Sequence, residues 1–225
     1  MEAQIPSVAI RALSTSQPDS PLETDEVWSI NNSHAVYEYH PDLIIAMDDL
    51  VRDYRNPKHV AYVESIVNEG CPVLTTRAQF LWPTTDSYPL KWVLKKLGLD
   101  KNAWPLFDNT LNYAFAYAIA RGFTEIHWFG ADWRQKYDRV DLECAMTRWT
   151  LTGYDGCPDW FSYHAKEIVY KYCNTEPGAE AFHWWLGYCF VRKIVVTFMP
   201  ETTILNRDRV PHWYGYEAKN MPDLP

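Results

Sequence analysis

Apolar residues in this chain come in short unbroken runs separated by polar turns. "IPSVAIRAL" (residues 5–13), "EVWSINN" (26–32), "PDLIIAMDD" (41–49), "CPVLTTR" (71–77), "TEIHWFGAD" (124–132) and "KIVVTFM" (193–199) each read as a strand. Helical spacing governs "NPKHVAYVESIVNEG" (56–70), "DNTLNYAFAYAIARG" (108–122) and "GAEAFHWWLGYCFVRK" (178–193). Gly70 and Gly122 supply helix stops, and Asp108 or Asn109 a cap. Strands that do not alternate apolar and polar are buried on both faces. Interleaved with helices, they predict a Rossmann-like three-layer α/β sandwich with a mostly parallel open sheet. The C-terminal third reads as helical and aromatic-rich. Residues 134–178 carry amphipathic patterns near 142–152 and 160–173, and read as a helical insertion or cap within one 1–225 domain.

The strands share a second property: they end in polar groups. The first ends at Ser14, Thr15 and Ser16, the second at Asn31 and Asn32, and the third at Asp48 and Asp49. The fourth ends at Thr75, Thr76 and Arg77, and the fifth at Asp132. In a parallel sheet these groups line one edge, where open α/β proteins bind ligands. Ser14 and Ser16 suit a phosphate cradle built from hydroxyls and backbone N–H groups. Asn31 and Asn32 suit a nucleoside, or equally a turn. Asp48 and Asp49 suit Mg²⁺ carrying a nucleotide phosphate, or a helix cap for "LVRDY", the two readings being equal for Asp49; Asp132 suits a metal or an acceptor hydroxyl, or equally a turn anchor. Thr76 and Asn109 complete the candidate ligand-binding set. Candidate bases are Asp132, His183 and His212, with His164 also in the C-terminal third, whereas His127 lies within a buried strand and reads as structural.

Charge and composition narrow the chemistry. The net charge is -8 over 225 residues, without the basic surplus that duplex binding usually needs, so nucleic acid is disfavoured as a partner though open as an acceptor. Lys91, Lys95, Lys96 and Lys101 fit the outer face of a short helix. Aromatics reach 16%, which serves either a ring-rich core or stacking surfaces. Five cysteines without a C-x-x-C pair suggest reduced thiols, and the spacing of Cys144, Cys157, His164 and Cys173 matches no standard zinc knuckle. No apolar run reaches the ~18 residues of a membrane span, so the expectation is a cytoplasmic protein with no membrane partner. The first loop lacks the glycines of a dinucleotide fingerprint, and no P-loop, G-x-S-x-G or H-E-x-x-H motif occurs.

An ordered set of short motifs adds to this reading. "DEVWSINNSHAVYEYHPDLIIAMDD", a helix, "PVLTT", then "NTLNYAFAYAIARGFTEIHWFGADW" follow one another. The set resembles a Rossmann-like superfamily that holds archaeal-type 6-hydroxymethyl-dihydropterin diphosphokinases and sialyltransferase-like flagellin motility accessory factors. Small phage-encoded members share a Trp-Leu-Gly-Tyr core, here Trp185–Tyr188, and a terminal Tyr-Gly-Tyr, here Tyr214–Tyr216. The resemblance covers residues 5–133 well and the rest loosely. It implies a nucleotide-handling site: Asn31 on the nucleotide of a sugar donor in one branch, Asp48 and Asp132 on Mg²⁺ and ATP in the other. A phage origin would place the protein in the host cytoplasm. The chain departs from both branches at its first loop, where Ser14–Ser16 replace the usual glycine.

Two functional expectations follow. One is a glycosyltransferase-like transferase using a nucleotide or sugar nucleotide donor, acting on a nucleotide or modified DNA base, with ATP-dependent diphosphoryl transfer as its alternative. The other is a non-catalytic nucleotide-binding protein acting in phage assembly or anti-defence.

Overall fold

The computed structural model describes residues 6–13, 23–130 and 180–198. Of the candidate residues, Ser14, Ser16, Asp132, His164 and His212 lie outside these, as do Cys144, Cys157, Cys173 and the expected insertion at 134–178. The chain divides into two compact units, and every described residue belongs to the one formed by Met1–Asp132 and Glu180–Thr202.

That unit is a seven-stranded sheet in which every pairing is parallel. The strands are β1 (Ser7–Arg11), β2 (Glu26–Ile30), β3 (Leu43–Ala46), β4 (Val73–Thr75), β5 (Thr85–Ser87), β6 (Glu125–Phe129) and β7 (Val195–Phe198). Their spatial order is β5-β4-β3-β2-β1-β6-β7. The chain therefore builds outward from β1 to β5, then crosses back and continues on the other side through β6. The reversal lies between β1 and β6, whose register pairs Arg11 with Phe129.

The helices are α1 (Ser33–Tyr37), α2 (Leu50–Tyr54), α3 (Val60–Val67), α4 (Leu90–Leu97), α5 (Thr110–Arg121) and a helix at 180–192, here α6. In-register partners share a face. Ile44, Ala46 and Val73 pack with Leu50, Val63, Ile66 and Val67 of α2 and α3. The opposite face carries Trp28 and Trp128, which meet α5 and α6: Trp28 lies 5.4 Å from Tyr117, and Phe115, Trp128 and Phe182 form a triangle of rings 4.9–5.4 Å apart. These rings are buried, so much of the aromatic content is core.

The predicted strands and the three predicted helices are present. Two differences have simple causes. Asn31 and Asn32 form a turn and do not extend β2, because Asn31 adopts φ 54°, left-handed backbone that asparagine tolerates better than most residues. His127 is not buried: 27% of its side chain is exposed. Its face of the sheet runs toward the edge strand β7, where Val195 and Thr197 are also exposed.

Candidate functional site at the carboxyl edge

In a doubly wound sheet the ligand crevice opens beyond the carboxyl ends of the strands, at the switch point. Here that point lies between β1 and β6, where Ala12 N donates to Phe129 O at 2.8 Å. Gly130 follows at φ 68°, a left-handed conformation that suits glycine and turns the chain out of the sheet.

Helix α5 carries a second set of polar groups to the same edge. Its last residue, Arg121, pairs with Glu26 at the start of β2 at 2.6 Å, and its body packs on β2 and β3. The helix thus runs opposite to β2. Its twelve residues span ~18 Å and the five of β2 span ~16 Å, so the first turn of α5 reaches the level of Asn31. Asn109 caps that turn, its side chain accepting from Asn112 N at 3.1 Å. Asn112 Nδ2 donates to Asp108 Oδ1 at 2.7 Å. Burial raises the Asp108 carboxyl pKa despite this bond and two from the backbone.

Three buried side-chain atoms lack a hydrogen-bond partner among the described residues: Asn31 Oδ1, Asn109 Nδ2 and Trp128 Nε1. They belong to Asn31 just after β2, to Asn109 at the cap of α5 and to Trp128, the penultimate residue of β6. Buried polar atoms are normally paired, so unpaired ones gathered at one edge point to a missing polar partner.

The turn after β2 is braced from below by a buried network. Ser29 Oγ lies 2.9 Å from Ser33 Oγ and 3.0 Å from His34 Nδ1. Ser33 Oγ donates to Arg11 O at 2.7 Å and meets Tyr39 Oη at 2.6 Å. His34 Nε2 faces Ser65 O at 2.8 Å and so carries a proton. The Arg11 guanidinium stacks 3.8 Å above the Tyr39 ring; burial lowers the arginine pKa and raises that of the phenol. Sequence reasoning passed over this network because serines in a strand resemble surface residues.

The other expected residues fall as follows. Asn32 takes the N-cap position of α1 without a side-chain cap bond. Asp49 caps α2. Asp48 accepts a hydrogen bond from Tyr62 Oη through Oδ2, while Thr75 and Thr76 Oγ1 donate to its carbonyl at 3.1 and 3.3 Å. Burial, then the Asp48 charge, push the Tyr62 phenol far up, so it keeps its proton. His183 is exposed in the first turn of α6. Trp185 Nε1, two residues on, donates to Leu106 O at 3.0 Å, which keeps this turn close to the start of α5. Asp108 is the residue sequence reasoning saw only as a cap; its Asn112 contact at i+4 was the available signal.

Among the described residues no group of three or more His, Cys, Asp or Glu stands together to hold a metal.

The described residues define an open, all-parallel α/β sheet whose switch point lies between β1 and β6. No protein family matches the sequence, and no curated protein does. Among solved structures, the sialyltransferase CstII from Campylobacter jejuni with the substrate analogue CMP-3FNeuAc is 16% identical, with 89% of this chain and 83% of that chain covered, at a TM-score of 0.47. The same enzyme with cytidine-5'-monophosphate is 18% identical over 65% of this chain and 75% of that one, at a TM-score of 0.37.

Proposed function

We propose that the protein is a transferase that uses a nucleotide-activated donor, with glycosyl transfer as its chemistry. The carrying observation is the pair of unpaired buried atoms, Asn31 Oδ1 just after β2 and Asn109 Nδ2 at the cap of α5. One free acceptor and one free donor suit the amide-like edges of a nucleobase or the hydroxyls of a ribose. In the reaction, an acceptor hydroxyl attacks the anomeric carbon of the donor. The bond from that carbon to the nucleotide phosphate breaks, and the nucleotide leaves with the electron pair. A base takes the acceptor proton. Asp108, whose raised pKa suits proton uptake, joins Asp132, His183 and His212 as candidates for that step. Ser14 and Ser16 would hold the phosphate, and Asp48, Thr76 and Asn32 would line the crevice. Mg²⁺, if used, would draw on Asp48 and Asp132. A phage origin and a cytoplasmic site of action belong to the same proposal.

Thermal-shift screening against nucleotides and sugar nucleotides, with and without Mg²⁺, tests it. The expected result is stabilisation by one sugar nucleotide, lost in Asn31→Gly, which keeps the left-handed backbone but removes the unpaired Oδ1 acceptor. Stabilisation by ATP alone, dependent on Mg²⁺, would favour diphosphoryl transfer. Binding without turnover would favour a nucleotide-binding protein, and no shift with any nucleotide would sink all three readings.

A further inference from the structure

Ser29 has one hydroxyl proton and three acceptors within reach of it. Its Oγ lies 3.0 Å from His34 Nδ1, 2.9 Å from Ser33 Oγ and 3.2 Å from the carbonyl oxygen of Asn31. It also accepts from His34 N at 3.2 Å. Both serines and the imidazole are buried. Which acceptor receives the proton is set by the charge state of His34.

His34 Nε2 faces Ser65 O, which only accepts, so Nε2 carries a proton in either charge state. In the neutral ring Nδ1 is a bare acceptor, and the Ser29 hydroxyl is its one hydrogen-bonding neighbour among the described residues. The Ser29 proton then goes to Nδ1. Asn31 O is left without a donor, because Ser29 is the one donor it has among the described residues. A second proton on the ring reverses this. Nδ1–H donates to Ser29 Oγ, and the serine turns its own proton elsewhere. Ser33 Oγ gives its proton to Arg11 O at 2.7 Å and so already receives that of Tyr39 Oη at 2.6 Å. Asn31 O is therefore the unmet acceptor.

We infer that His34 is a proton switch for the Asn31 turn: its second proton moves the Ser29 hydrogen bond from the ring to Asn31 O. The transfer tightens the left-handed turn that carries the unpaired Asn31 Oδ1. His34 acts through Ser29 and is a positioning residue. The charges around it bias the switch in both directions. Glu69 Oε2, 3.8 Å from Nε2, favours the cation, and Glu69 Oε1 is shared with exposed His40 at 2.8 Å. Tyr39 meets the imidazole edge-on at 6.4 Å, and the Arg11 guanidinium, 3.8 Å from the Tyr39 ring centre, opposes the cation.

Solution NMR of the full chain tests the switch. The His34 ring nitrogens and the Asn31 carbonyl carbon are followed from about pH 8 to about pH 5, where histidine ordinarily changes charge. An Nε2–H tautomer is expected at the alkaline end, and a downfield move of the Asn31 carbonyl with the same midpoint as the ring. Ser29→Ala removes the relay, so His34 should still titrate while the Asn31 response is lost. Glu69→Gln should carry both transitions together to lower pH. His40→Gln, which removes the other imidazole on Glu69, should leave them coupled. An Nδ1–H tautomer, a ring that does not titrate, or an Asn31 carbonyl that does not follow the ring overturns the inference. So does a response that survives Ser29→Ala; where that variant does not fold, midpoints that separate in Glu69→Gln overturn it instead. The consequence for binding rests on the proposed nucleotide site. Affinity for the stabilising nucleotide should rise about threefold or more on acidification, and not in Ser29→Ala. A matched NMR transition with no nucleotide bound would sink the proposed function and leave the switch standing.

Discussion

Arg121 and Glu26 lie 95 residues apart in sequence and 2.6 Å apart in space, and their pairing fixes the last turn of α5 to the first residue of β2. The guanidinium does more than pair. It also lies 5.5–5.9 Å from the ring centres of Trp28, Tyr117 and Phe123. Both partners are partly exposed, so the ion pair itself is worth under ~1 kcal/mol. Glu26→Gln should therefore cost about 0.5 kcal/mol, and Arg121→Ala about 1–2 kcal/mol, because the alanine also uncovers the rings. Urea denaturation of both variants checks this; equal losses would show that charge alone matters.

Asp108 makes a pH-dependent prediction. Its raised pKa means the native state holds the carboxyl proton more tightly than the unfolded chain. Its contribution to stability is then fullest below the unfolded carboxylate range and is lost as pH rises through the folded value. At about pH 7 the ionised group is a cost, under ~1 kcal/mol because the side chain is half exposed. Asp108→Asn keeps the acceptor for Asn112 and should raise Tm at neutral pH, with the gain vanishing near pH 3. A loss of stability at neutral pH would contradict the assignment.

Cys71 is a half-buried free thiol, and burial followed by the neighbouring Glu69 charge pushes its pKa up to about 11. Only the thiolate is a nucleophile. Alkylation at Cys71, followed site by site by mass spectrometry, should be slow near neutrality and rise about tenfold per pH unit until about pH 10. Glu69→Gln should speed it. Rapid labelling at neutral pH would show that the thiol is not in this environment.

The parallel sheet was readable because β1 and β3 carry unbroken apolar stretches, and "VAI" and "LIIA" are buried on both faces. The α5 boundaries were readable from Asn109 and Gly122, which cap and stop it as expected. Strand β5 was not, because "TDS" holds no apolar residue and forms only through its pairing with β4. Helix α1 was hidden for a related reason: five residues carry too little periodicity to separate from a turn. At the edge, Asn31, Asp48, Thr76 and Asn109 were legible as polar groups at element ends. The engagement of Asp48 by Tyr62 was not, since it joins residues fourteen apart whose meeting depends on how α3 lies across the sheet.

The long excursion between β6 and β7 has a consequence for how the chain is made. β6 pairs with β7, yet residues 130–194 separate them. While the ribosome is still producing that interval, β1 to β6 have already emerged, and β6 presents an unpaired backbone edge with Trp128 lacking its Phe182 neighbour. Nascent chains halted before α6 should therefore be sticky, dependent on holding by chaperones, and prone to pair with one another along that edge.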